Sequence, residues 1–220
     1  MSVAYVTHAN NTNGLGSTAS STTVTVAVSG ANPHVSIEIG LVSGSATITS
    51  ITSDQSTGTI VQTAVSNNSN VKAFIWSVPA PAVATHTFTI NFSASVNYNV
   101  VAKVFSGADQ TTPQPSGDAQ TSTSNTSAVT LTPTNLTAND ATTMVGCNDA
   151  GNWSSATPNQ RVQDNGSFAG LQSGDSTGTT GTTFAFSGIG ASDIAMVAVR
   201  IAAASGGGGS ANNQLAWITA

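Results

Sequence analysis

In His34-Val35-Ser36-Ile37-Glu38-Ile39-Gly40-Leu41 nearly every second side chain is apolar. An extended chain sends successive side chains to opposite faces, so Val35, Ile37, Ile39 and Leu41 share one face. His34, Ser36 and Glu38 share the other, which is expected to meet solvent. The same period recurs in Thr87-Phe88-Thr89-Ile90-Asn91-Phe92-Ser93, where Phe88, Ile90 and Phe92 point one way. Val24, Val26 and Val28 align in a third run. Val96, Tyr98, Val100, Ala102 and Val104 align in a fourth. β-Branched residues dominate these runs, as pleated surfaces favour. No stretch shows the 3.6-residue period of an amphipathic helix.

Turn chemistry separates the runs: Ser29-Gly30-Ala31-Asn32-Pro33, Ser43-Gly44, Asn67-Asn68-Ser69-Asn70 and Pro79-Ala80-Pro81. A polar, proline-bearing stretch at 110–127 leads to a second set, expected near 128–132, 142–148, 159–164, 182–187 and 193–203. Asp164-Asn165-Gly166 reads as a tight turn. Short strands at close spacing predict an all-β sandwich or barrel of roughly twelve strands. Gly206-Gly207-Gly208-Gly209 then reads as a flexible linker. The tail beyond it carries Leu215, Trp217 and Ile218. It has two open readings: a segment folding back on its own domain, or an arm docking on a neighbouring subunit.

Charge is sparse. Four basic residues, Lys72, Lys103, Arg161 and Arg200, face nine acidic ones, for a formal net charge of -5. Binding a nucleic-acid backbone takes clustered Lys and Arg, and none are clustered here. The same deficit argues against an anionic membrane surface, and no apolar run reaches the length of a membrane-spanning helix. With no signal-peptide pattern at residues 1–6, folding is expected in the cytoplasm. Cys147 is the single cysteine, so no intrachain disulfide forms. Within Thr143-Met144-Val145-Gly146-Cys147 it reads as a small buried apolar residue.

Catalysis needs convergent reactive groups, and the chain offers few. Glu38 and His34 share a strand face but read as two solvated polar side chains. Asp140, Asp149 and Asp164 sit in turn-like contexts rather than as a carboxylate pair across a cleft. His8, His34 and His86 lack the spacing of metal ligands. Asn148-Asp149-Ala150-Gly151-Asn152 carries oxygen donors but departs from a calcium-binding loop. The expectation is a non-enzymatic protein with no metal and no cofactor. Trp153, beside Asn152 and Asp149, is the candidate for stacking and bonding a glycan, against the alternative of a packed loop tryptophan.

Three stretches carry a resemblance: Ala73-Phe74-Ile75-Trp76, Thr85-His86-Thr87-Phe88-Thr89-Ile90-Asn91-Phe92-Ser93, and Lys103-Val104-Phe105-Ser106-Gly107-Ala108-Asp109-Gln110-Thr111-Thr112-Pro113. With Leu136-Thr137-Ala138-Asn139-Asp140-Ala141-Thr142-Thr143-Met144-Val145-Gly146 they resemble a β-sandwich family of phage structural proteins and bacterial surface proteins. The resemblance spans residues 20–204 and implies a jelly-roll-like antiparallel sandwich. Residues 1–19 then form an N-terminal extension, and 205–220 a glycine linker with an apolar tail. It implies no catalytic residue. The resulting expectation is a virion structural protein, a capsid decoration (cement) protein on the capsid exterior. Its partners would be the major capsid protein, other virion subunits and further copies of itself. The alternative is a receptor- or glycan-binding module of a tail fibre or surface adhesin.

Overall fold

A computed structural model describes residues 1–12, 18–42, 44–54, 58–66, 69–114, 119–124, 128–133, 136–149, 155–157, 159–165, 170–178, 184–187 and 193–205. It is an all-β antiparallel sandwich with no helix among these residues.

The valine-rich runs become β2 (Ala19–Ala27), β3 (His34–Val42) and β6 (Val71–Pro79), with β4 (Ile48–Thr52) and β5 (Thr59–Val65) beside them. The two runs expected at 87–93 and 95–105 are one strand, β7 (Thr85–Ser106). Its first half pairs with β2 and β4, and its second half with β3 and with β1 (Ala4–Thr12). Ser93, Ala94 and Ser95 are exposed at the changeover, and the ladders to β2 and β4 are irregular beside it. Bulges of this kind bend and twist a strand, which lets one chain segment serve two layers. The principal sheet runs β1-β7-β3-β6-β5.

Within residues 1–19, expected as an extension, Ala4–Thr12 form a strand of this sheet. β1 pairs with β7 over nearly its whole length, and Val3 is buried. Weak alternation in Ala4-Tyr5-Val6-Thr7-His8-Ala9 hides the strand, because its ladder bonds come from β7 rather than from its own apolar pattern.

A second sheet runs β12-β13-β10-β15-β8. It contains β8 (Ala119–Ser124), β10 (Ala141–Asn148), β12 (Asn159–Asn165), β13 (Gly170–Thr177) and β15 (Ile194–Ile201). Three short strands, β9 (Ala128–Leu131), β11 (Ser155–Thr157) and β14 (Phe184–Ser187), pair as β11-β14-β9. β9 lies against β15, and β11 against β13. The strand expected at 159–164 is β12, which ends at Asn165; Gly166 of the expected tight turn lies outside the described residues.

The principal sheet is buried on both faces. On one, Val35, Ile37, Ile39 and Leu41 join Phe88, Ile90, Phe92, Val24 and Val26 in a single core. This is the common partner that the period-two faces require. On the other, Val71, Ala73, Ile75 and Val101 pack against Val145, Cys147, Leu171, Ala195 and Val197 of the second sheet. Gly40 makes the close approach there: a Cβ on it would lie 2.8 Å from the Cys147 sulfur and 3.2 Å from Leu171. Cys147 is fully buried, as its strand context implies, and burial pushes its thiol pKa up.

This double burial corrects one expectation. His34, Ser36 and Glu38 do not face solvent; all three are fully buried. Alternation along β3 assigns two faces but cannot say that the polar one is also covered. Two-sided burial normally announces itself as a continuous apolar run, and here β3 itself brings His34, Ser36 and Glu38 to the second face.

Candidate functional site

The polar groups cluster on the covered face and at its rim. Glu38 on β3 and Lys103 on β7 are diagonal neighbours, since Ser36 stands opposite Lys103 in the ladder. Their charged atoms lie 2.6 Å apart, and neither side chain is exposed at all. The Thr143 hydroxyl of β10 donates to Glu38 Oε1 at 2.5 Å. Lys103 Nζ also donates to the Gly174 carbonyl of β13 at 2.6 Å. The pair therefore ties two strands of one sheet to two strands of the other. Burial raises the Glu38 pKa and lowers that of Lys103, each opposed by the charge of its partner.

Toward the rim, Arg161 of β12 forms a two-bond ion pair with the buried Asp175 of β13. Its guanidinium lies over the Tyr5 ring of β1, 3.8 Å from the centroid, a cation–π contact. Tyr5 hydroxyl and His8 Nδ1 share a hydrogen bond of 2.6 Å. Asp140, at the entry to β10, pairs with Arg200 of β15 at 2.9 Å. It also accepts the backbone N–H groups of Thr137 and Ala203. Burial pushes its carboxyl pKa up, but these hydrogen bonds and Arg200 outweigh that and hold it below the ordinary value.

A group held low in the folded state stabilises the fold above its unfolded pKa, and that contribution is lost as pH falls through the folded value. Stability is therefore expected to fall in the acid range below about pH 4, the ordinary Asp value. Asp140→Asn should flatten that part of the profile. Chemical denaturation across the acid range checks this; an unchanged slope in the variant would assign the effect to another carboxylate.

Between these groups lies a cleft of about 480 Å³, lined among others by Ser2, Tyr5, Asp140, Asn159, Arg161 and Asp175. It sits where the β1 edge of one sheet meets the β12 edge of the other. Both of its carboxylates are committed to guanidinium groups. The arrangement presents fixed donors and acceptors at near-neutral local charge, which suits binding of a polar, uncharged ligand more than proton transfer.

No family model, curated protein or solved structure matches this chain.

The residues singled out from sequence fall elsewhere. Asp149 bridges strand ends: its carboxylate accepts Asp193 N–H at 3.0 Å, and its own N–H donates to Asp193 O at 3.3 Å. Burial and the Asp193 charge raise its pKa. Asn152 and Trp153, the glycan candidates beside it, lie outside the described residues, as do Leu215, Trp217 and Ile218. His8, His34 and His86 lie on β1, β3 and β7. Burial pulls His34 down to about 3, so it is neutral. His86 Nε2 donates to the Ala82 carbonyl, 2.8 Å away, and Nδ1 meets Asp54 at 3.1 Å.

Sequence reasoning missed Lys103, Arg161 and Asp175. A signal existed for the first. Glu38 and Lys103 are lone charges inside two otherwise apolar or weakly polar strand runs, a position that is tolerated when the charges pair.

Proposed function

We propose that this chain is a non-enzymatic virion structural protein, a capsid decoration protein that bridges neighbouring subunits on the capsid exterior. The observation that carries this reading is the fate of its cations. All four are spent inside the chain: Lys103 on Glu38, Arg161 on Asp175, Arg200 on Asp140, and Lys72 on the Ala46 carbonyl at 2.7 Å. Among the described residues the outward surface is left mainly to hydroxyls, amides, the remaining carboxylates and a few apolar side chains such as Ile60 and Val83. Such a surface repels nucleic acid and favours contacts made by shape, strand edges and short apolar segments. Its partners would be the major capsid protein and other copies of itself, reached after folding in the host cytoplasm.

The tail beyond the glycine linker supplies the apolar segment. Burial of Leu215, Trp217 and Ile218 would contribute about 1.5–3 kcal/mol each, against about 1–2 kcal/mol of backbone entropy per ordered linker residue. Docking in trans is therefore favourable only where the groove buries all three. Deleting residues 205–220 is expected to leave the melting temperature of the free subunit unchanged and to weaken its association with particles. Co-sedimentation with undecorated capsids checks this, and unchanged association would end the docking-arm reading.

The polar cleft favours a second reading, a glycan-binding module of a tail fibre or adhesin. A reconstruction of the native particle separates the two. Many copies across the lattice support decoration; density only at a fibre tip supports the module.

A further inference from the structure

We propose that Lys103 and Glu38 are the two ends of an intramolecular amide cross-link that joins β7 to β3. Four features of the site point to it. The amine and the carboxyl are 2.6 Å apart. Both side chains are wholly enclosed between two sheets. The amine is aimed by a second contact, to the Gly174 carbonyl. The carboxyl oxygen facing it, Oε1, receives the Thr143 hydroxyl.

The chemistry needs no outside reagent. Taking a charged pair out of water favours transfer of one proton from Nζ to Oε1, which leaves a neutral amine beside a carboxylic acid. Burial acts in that direction on both partners. The nitrogen lone pair then attacks the Glu38 Cδ, forming the N–C bond. The Cδ–Oε1 bond breaks, and Oε1 takes a second proton from nitrogen and leaves as water. One amide and one water replace one ammonium and one carboxylate, so atoms and charge balance. The Thr143 hydroxyl, already on Oε1, stabilises the departing oxygen.

Two physical factors favour the step. Reactants held in place gain effective molarities of about 10⁵–10⁸ M. Enclosure of both side chains also limits access of the bulk water that would reverse the reaction. Glu38 Oε2, the oxygen that neither Lys103 nor Thr143 engages, would become the amide oxygen. The chain has one cysteine and so no intrachain disulfide, and this bond would supply the covalent tie between distant segments that a disulfide supplies elsewhere.

The test is mass spectrometry of the purified full chain under denaturing conditions. The expected mass is one water below that of the sequence, after any loss of the initiator Met is accounted for. Trypsin should then fail to cut after Lys103, and residues 1–72 should stay joined to residues 73–161 in one branched peptide. Lys103→Arg keeps the cation without the reactive amine and should show the full sequence mass. A wild-type chain of full mass, cleaved normally after Lys103, overturns the proposal. So does a lost water that maps to any other pair of residues. Because the decisive reading is made on the wild-type chain, a variant that folds poorly does not affect it.

Discussion

Phe88→Ala is expected to lower the stability of the sandwich by about 3–5 kcal/mol, the usual cost of truncating a large buried aromatic side chain. Phe88 is 1% exposed and belongs to the largest core. It stands opposite Val24 in the β2–β7 ladder, in the same core as Ile90 and Phe92. The core here is held from both sides by strands of one continuous segment, since β7 contributes Phe88 from its first half and Val100 from its second. Collapse around the cavity is therefore restricted, because moving one wall moves the other. Chemical denaturation with a two-state fit measures the change. A variant as stable as the wild type would mean that Phe88 does not face the core.

Lys103→Met is expected to be less stable than the double variant Lys103→Met/Glu38→Leu by about 3–5 kcal/mol, the cost of leaving one buried charge without its partner. The single change leaves the Glu38 carboxyl enclosed, with hydroxyl groups such as that of Thr143 beside it but no cation. The double change replaces both groups by apolar side chains of similar size on the sheet face where Val101, the ladder partner of Glu38, joins the inter-sheet core. The comparison is between two chains that both lack the lysine amine, so it holds whether the wild-type partners are ionic or covalently joined. Parallel denaturation curves give the difference. Equal stability of the two variants would mean that water reaches Glu38 between the sheets.

Strands with strict alternation are legible from their residues alone. Val35 to Leu41 and Phe88 to Phe92 form one core, as their shared period requires. β13 is not legible in this way, because Gly170-Leu171-Gln172-Ser173-Gly174-Asp175-Ser176 offers a single large apolar side chain. Yet all seven residues are buried. Its glycines explain this: a Cβ on Gly174 would meet Met144 at 2.9 Å and the Asn159 carbonyl at 3.0 Å. A strand chosen for close approach carries little hydrophobic signal of its own. β1 escapes notice for a related reason, since its pairing is supplied by β7. The cleft is equally hidden, because Tyr5, Asp140, Arg161 and Asp175 come from widely separated parts of the chain and show no motif spacing.

What the sequence alone determined is the fold class and the side of each strand that seeks a core, because alternation is local and backbone geometry enforces it. What only the tertiary structure decided is the number of layers. Whether the second face of β3 meets water or another sheet depends on contacts with residues far along the chain, such as Thr143 on Glu38. That choice converts a surface carboxylate into a buried one, and no local pattern around residue 38 records it.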